Sequence, residues 1–377
     1  MSRWRCTVPG LLALSCGSPT PEPEIRIGAL VVATGERRVT SGLAMSQAAT
    51  LAEQVVNASG GIVVGGVPRR VHVILRDIGD EAERATSQAR DLLNRDSVVA
   101  LVGPQFSVGA IPVSSLAQQA RVPMISPMST HPGTTLGKPF VFRIAFTDDQ
   151  QGKALARFAR ETLHAKRAAL LYDVAMEYSR NLSQVFLAEF AALGGTIVSE
   201  QQFTTDKADD FTDQLTRIRA ARPDVIFAPN FTGADSIQVI QARRLGIGAV
   251  FLGSDTWSLE SLRKVAEVDG AYFTVQWHPE IGTAESDSFV ARYRTAYGTT
   301  PDATAASTWD AFQVIFAAIR TTGSTDPDTI RRAIGATDGF RGVTGVLTYG
   351  AGGDPLKSVY IMQFVNGSGV FQRRVDP

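Results

Sequence analysis

Cysteine is almost missing from this chain. Of 377 residues only Cys6 and Cys16 are cysteines, and both fall within the first sixteen. The body of the protein therefore has neither a disulfide framework nor a thiolate metal site. Histidine is scarce as well: His72, His131, His164 and His278 are scattered, without the two-on-one-face spacing that holds zinc. Charge of one sign is not in excess, because Lys+Arg and Asp+Glu number 37 each, so no long-range field draws the chain to nucleic acid or an anionic membrane. No run in the body approaches the ~18 apolar residues of a membrane span. P-loop, nucleophile elbow and zinc helix are absent too. Gly246-Ile247-Gly248 begins a dinucleotide fingerprint, but it follows a helical pattern instead of a strand and meets Phe251 where the third glycine belongs. Neither an enzyme nor a cofactor is expected.

What the chain does have is 44% hydrophobic residues, enough for a core in each of the two or three domains its length suggests. It also has an internal repeat. Val98-Val99-Ala100-Leu101-Val102 reads as a strand running into Gly103-Pro104-Gln105-Phe106-Ser107, then a helix, then a strand closing on Ser126-Pro127-Met128-Ser129-Thr130. More than a hundred residues later Val225-Ile226-Phe227-Ala228 runs into Pro229-Asn230-Phe231-Thr232, a helix, and Val250-Phe251-Leu252 closing on Gly253-Ser254-Asp255-Thr256. Each copy follows a helix, a Gly-Gly pair and a further strand, beginning at Gly60-Gly61-Ile62-Val63 and Gly194-Gly195-Thr196-Ile197-Val198. Two α/β lobes of one plan are implied, with parallel sheets flanked by helices. Ligands of open α/β sheets bind outside the carboxyl ends of the strands, so these repeated strand ends are the place to look for function.

The first residues stand apart. Arg3 and Arg5 precede the apolar run Leu11-Leu12-Ala13-Leu14-Ser15-Cys16 and the extended Gly17-Ser18-Pro19-Thr20-Pro21-Glu22-Pro23, the charge, apolar core and small-residue order of a secretory signal. A cysteine before a polar tether is similar to a bacterial lipoprotein signal, with Cys16 as the lipidated residue; a leader cleaved nearby is the alternative. Residues 1–24 are set aside as leader and tether, and the body is expected to be exported.

Apolar periodicity predicts strands over 25–32, 71–75 and 98–102 and helices over 42–57 and 81–94. A second series follows: helix 151–163, strand 168–172, helix 178–193, strand 197–203, helix 211–221, the repeated motif, and strand 271–275. Helical patterns over 287–297, 303–321 and 327–336 then come without a strong strand between them, as though the chain crosses back to finish the first lobe. The end, 345–349 and 358–365, reads as a hairpin-like close. This gives about three crossings, with 25–145 plus 278–343 as lobe one and 146–277 plus 344–377 as lobe two.

Several stretches resemble the periplasmic leucine/isoleucine/valine-binding protein family, the type I receptors of ABC transporters. They are Asn57-Ala58-Ser59-Gly60-Gly61-Ile62, Ser126-Pro127-Met128-Ser129-Thr130-His131-Pro132, Asp210-Phe211-Thr212, Gln241-Ala242-Arg243-Arg244-Leu245-Gly246, Phe251-Leu252-Gly253-Ser254-Asp255 and Gly342-Val343-Thr344-Gly345. They run in the family's order over nearly the whole chain from Ile25. The resemblance implies two Rossmann-like lobes joined by three hinge strands and closing around an amino acid.

Candidate site residues carry two readings each. Ser107 opens a helix, where it is either an N-cap or a ligand contact; a helix start also favours anions, and the resemblance implies that Ser107 holds an α-carboxylate. Met128-Ser129-Thr130 is an ordinary Ser/Thr turn on its residues alone. The resemblance implies carboxylate binding by Thr130, ammonium binding by the Met128 carbonyl and a lining role for Ser129. Asp255 competes with Thr256 and Ser258 as a helix cap, yet it puts a carboxylate opposite the donors of the other strand end. The family places an acidic residue, usually Glu, there for the α-ammonium. Tyr178 and Phe231 are core aromatics or ligand covers, and Trp309 is a rim or hinge residue with the core as its alternative. The basic loop of Arg37 and Arg38 is a solvated loop, or the holder of a second anionic group on the ligand.

The expected protein is a monomeric extracytoplasmic binder of an aliphatic or branched-chain amino acid that serves an ABC permease. It has no nucleic-acid partner, and touches the membrane only through a lipid anchor. A ligand-sensing module, or a binder of an amide, urea-like compound or dicarboxylate, is the competing expectation.

Overall fold

The computed structural model describes Met1 and residues 24–35, 42–79, 81–231, 233–350 and 352–376. Cys16, Arg37 and Arg38 lie outside the described residues.

Lobe one is built on β1 (Ile25–Val31), β4 (Val71–Asp77), β5 (Ala100–Val102), β6 (Met124–Ser126) and β7 (Val141–Arg143), with a detached hairpin of β2 (Ile62–Val64) and β3 (Val67–Arg69). Its main sheet is parallel in the order β4-β1-β5-β6-β7. Lobe two carries β8 (Arg167–Asp173), β9 (Thr196–Phe203), β10 (Val225–Phe227), β11 (Val250–Leu252) and β12 (Tyr272–Val275). They pair in the equivalent parallel order β9-β8-β10-β11-β12. The central strands β5, β6 and β10 are buried at every residue. Short, wholly buried strands of this kind need helices on both faces.

The helices supply that cover. In lobe one α1 (Gly42–Ala58) packs on one face and α2 (Ala82–Asn94) and α3 (Ser107–Ala120) on the other. In lobe two α4 (Asp148–Arg157) and α5 (Glu177–Ala192) cover one face, and α6 (Thr212–Ala221), α7 (Ala234–Arg244) and α8 (Leu259–Leu262) the other. The three later helices, α9 (Ala284–Tyr297), α10 (Ala303–Thr322) and α11 (Pro327–Gly335), return to lobe one. Phe289, Phe312, Ile315 and Ile330 are buried among Met45, Ala48 and Val102 there.

Two expectations are corrected. The segment at Ile62 does not join the main sheet; it pairs with β3 across Gly65-Gly66, two glycines of positive φ (59° and 85°) that close a two-residue hairpin. The closing hairpin does not pair 345–349 with 358–365. β14 (Gly345–Leu347) pairs with β13 (Phe340–Gly342), whereas β15 (Val359–Val365) lies antiparallel between β12 and a last strand, β16 (Ser368–Val375). Asn366-Gly367, with φ of 50° and 73°, makes the β15–β16 turn, and Asn-Gly is the residue pair that such a turn prefers.

The chain passes between the lobes three times, and the passages are bonded to one another. Phe146 N–H donates to Gln276 Oε1 at 3.0 Å, Lys357 Nζ to the Ile144 carbonyl at 3.0 Å, and the Tyr349 hydroxyl to the Arg143 carbonyl at 2.8 Å. Lys357 is buried, which pushes its ammonium down to about 8 against the opposing pull of Asp310.

Candidate ligand-binding site

The strand ends of the two lobes meet. Phe106, just past β5, and Phe231, past β10, place their rings edge to face with centroids 6.1 Å apart, and Tyr178 on α5 stacks at a tilt against Phe231 at 5.5 Å. Contacts of this kind add about 0.5–1.5 kcal/mol beyond the area they bury.

On the first wall Gly103 lets the chain leave β5. Its φ is 85°, and a Cβ there would lie 2.6 Å from the Leu30 carbonyl oxygen. The N-cap of α3 is Phe106, which makes no side-chain cap bond, so Ser107 is the first helical residue and not the cap. Its hydroxyl lies 2.9 Å from that of Ser129, which in turn lies 2.7 Å from Thr134 Oγ1. A helix start with no capping side chain beside a run of hydroxyls presents donors to an anion.

The loop carrying Ser129 and Thr130 is held from behind. Fully buried Arg143 donates to the carbonyls of Ser129 (2.8 Å) and His131 (3.0 Å) and to Thr135 Oγ1 (2.6 Å), and its Nε donates to Asp354 at 2.6 Å. Met128, just before Ser129 in the loop, is half-buried.

The second wall centres on half-buried Asp255. Its Oδ1 accepts from the Tyr178 hydroxyl at 2.5 Å, its Oδ2 from Gln276 Nε2 at 2.9 Å, and its own N–H donates to Gln151 Oε1 at 2.9 Å. It does not cap α8, because Ser258 does so by accepting from Ser261 N–H. Each carboxylate oxygen holds one donor and has a lone pair left for another. Burial raises the Asp255 carboxyl above the usual carboxylate range, against the hydrogen bonds from Tyr178 and Gln276. A cationic donor in the cleft would favour its charged form.

Asp148 and Gln151, one turn apart at the start of α4, link the walls. The Asp148 N–H donates to the Thr130 carbonyl at 3.0 Å and its Oδ2 accepts from Asn181 Nδ2 at 2.8 Å, while its Oδ1, fully buried, has no hydrogen-bond partner. Burial pushes this carboxyl up to about 7, the nearby Asp255 charge adds to the rise, and the bond from Asn181 opposes it. Gln151 Oε1 also accepts from Thr274 Oγ1 at 2.6 Å.

The structure thus brings Ser107 to Ser129, Tyr178 to both Asp255 and Phe231, and Thr130 to Asp255 by way of Asp148 and the start of α4. Trp309 lies elsewhere, 9% exposed in the core of lobe one with its ring 5.3 Å from Phe289. Four polar or aromatic members of the site were not foreseen: Phe106, Asp148, Gln151 and Gln276. For Asp148 a signal was present. Thr147 and Gln150 form a capping box, whose T-x-x-Q pattern starts the helix three residues before the predicted position.

Comparison with known proteins agrees with this architecture. The family model described as periplasmic binding protein matches residues 24–369. Leu/Ile/Val-binding protein BraC3 of Rhizobium johnstonii is 28% identical over 348 residues, which cover 91% of this chain and 92% of that protein. The branched-chain amino acid transporter substrate binding protein LivJ of Streptococcus pneumoniae, solved in complex with isoleucine, superposes with a TM-score of 0.85. It is 28% identical, over 94% of this chain and 100% of that one. An ABC transporter solute binding protein from R. palustris, solved with benzoate, gives a TM-score of 0.82 at 21% identity, over 94% and 97% of the two chains, a likeness of fold alone.

Proposed function

Because this chain belongs to the periplasmic binding protein family, we propose that it is the extracytoplasmic substrate-binding component of an ABC transporter and that its cleft closes on an aliphatic or branched-chain amino acid. One observation carries the reading: the two walls have opposite chemistry. Ser107, Thr130 and the uncapped start of α3 offer donors to a carboxylate, and Asp255, fixed by Tyr178 and Gln276, offers a charge to an ammonium. Met128 contributes its carbonyl to the ammonium, Ser129 lines the wall, and Tyr178 and Phe231 cover the ligand. Trp309 supports the lobe from its core.

Family members bind solutes and do not transform them, and the chemistry here is reversible closure. The lobes rotate about the three crossings, and the boundary expected at 343/344 moves to between Tyr349 and Val359, because Leu347 and Tyr349 pack in the first core. The ligand shifts this equilibrium by its greater affinity for the closed form. Cys16 would tether the protein by a lipid, and a permease would receive the ligand.

A second reading has a specific observation behind it. The three rings of Phe106, Tyr178 and Phe231 suit an aromatic carboxylate, and the R. palustris protein of this fold binds benzoate. Asp255 opposes that reading, since an anion without an ammonium gives its charge no partner. A thermal-shift screen against amino acids, aromatic acids, dicarboxylates, amides and urea-like compounds separates them, because a ligand at ~100 times its Kd adds about 2.7 kcal/mol. Stabilisation by leucine, isoleucine or valine is expected. A response confined to compounds lacking an ammonium would overturn the zwitterion reading.

A further inference from the structure

The side chain of Gln276 touches the hinge and the candidate ligand anchor at once. It lies at the second crossing between the lobes, just past β12, and is fully buried. Its Oε1 accepts from Phe146 N–H of the first crossing at 3.0 Å, and its Nε2 donates to Asp255 Oδ2 at 2.9 Å. One planar amide therefore fixes the distance between the backbone of one crossing and a carboxylate on the cleft wall.

We infer that Gln276 is a positioning residue: it holds Asp255 charged and aimed into the cleft only when the first and second crossings are in the register seen here, and so couples the hinge to capture of the ligand's ammonium. The inference rests on the reading of Asp255 as that anchor. Both ends of the amide are needed in one orientation. Flipping it would set its carbonyl oxygen against the Asp255 carboxylate and its NH2 against the Phe146 N–H, two repulsive contacts in place of two bonds. A rearrangement of the first crossing that withdraws the Phe146 N–H leaves the amide free to turn, and Asp255 loses one of its two side-chain donors. The other donor, Tyr178, cannot replace it, because the phenol already occupies Oδ1. Gln151 accepts from the Asp255 N–H, and its side chain also helps to hold the carboxyl down. The titratable groups around this carboxylate are Tyr178 and Asp148: the buried phenol of Tyr178, its proton held more tightly than usual, stays neutral and favours the charged Asp255 through its hydrogen bond, whereas a charged Asp148 disfavours it.

The test is an isosteric exchange. Gln276→Glu keeps an oxygen for Phe146 N–H and replaces the donor facing Asp255 with an acceptor. The two carboxylates then share a proton that the unfolded chain does not bind, so the pair's folded-state affinity for protons is raised and its stability is lost as pH rises. In the unliganded protein, the fall in Tm relative to wild type should be about twice as large or more near pH 8 as near pH 5. The Kd for the amino acid found in the screen should rise about tenfold or more near pH 8, and recover toward the wild-type value near pH 5. Gln276→Met, which removes both bonds without adding charge, should weaken binding by about tenfold, with a Tm difference that grows less with pH than that of Gln276→Glu. A pH-independent Tm difference for Gln276→Glu, or wild-type affinity in Gln276→Met, would overturn the inference. A wild-type protein indifferent to every amino acid would instead remove the functional reading, and the unliganded Tm series would still decide whether the amide holds Asp255.

Discussion

Strands β5 and β10 hold the same central place in their sheets, and each releases the chain into the cleft, but they release different chemistry. After β5 come Gly103, Phe106 and Ser107, and a helix whose first turn has no capping side chain. After β10 comes Asn230, whose amide is spent inside the lobe on the Leu171 carbonyl, Gln238 and the Asp173 N–H, and then Phe231. The neighbouring strand ends differ in the same sense. β6 leads to hydroxyls backed by a buried arginine, and β11 leads to Asp255 backed by donors. A duplicated topology supplies two facing walls, and divergence of the residues at the strand ends gives one wall donors and the other an acceptor. On the proposed reading, a zwitterion would use both.

The contrast can be broken in graded steps. Asp148 stands where the walls join, and its raised carboxyl favours the protonated form in the folded protein. Its contribution to stability is thus present at low pH and lost as pH rises through about 7. Relative to Asp148→Asn, wild type should lose up to roughly 4 kcal/mol between about pH 4 and pH 8 in denaturant titrations, and equal slopes for the two proteins would refute the assignment. On the donor wall, Ser107→Ala and Thr130→Val should each weaken amino acid binding by about 1.5–3 kcal/mol, the range for hydrogen bonds to a charged group, as read by calorimetry. Their unliganded stability should change far less than their affinity. The smallest effect is expected at the ring contact. Phe106→Ala removes an edge-to-face partner of Phe231 and should cost about 0.5–1.5 kcal/mol of closed-state stability, visible as a faster ligand off-rate with little change in the on-rate.

Much of this architecture was legible because it is written in local patterns. Continuous apolar runs marked the buried parallel strands, Gly-Gly pairs ended the helices, and an acidic residue at a strand end marked Asp255. What escaped depends on contacts between distant segments. Arg143 is fully buried, a state arginine almost never adopts, and the carbonyls of Ser129 and His131, the Thr135 hydroxyl and Asp354 make it tolerable. Gln276 is an unremarkable amide after a strand until the first crossing brings Phe146 beside it. β16 was missed for a different reason. Its residues are mostly exposed and include Arg373 and Arg374, so it lacks an apolar run, and the Asn-Gly turn before it was the one local sign. The hairpin at Ile62 looked like the counterpart of β9 because both follow Gly-Gly. The true counterpart is β4, which shares the sheet position but not the sequence context.

The proposed role of Asp255 as the ammonium anchor of the acceptor wall stands or falls on isothermal titration of Asp255→Ala with the amino acid that stabilises wild type. Removing the partner of a buried ammonium should cost roughly 3–5 kcal/mol of binding while the protein remains folded. A loss below about 1 kcal/mol, the size of an ordinary neutral hydrogen bond, would contradict the claim and leave Asp255 a structural partner of Tyr178 and Gln276.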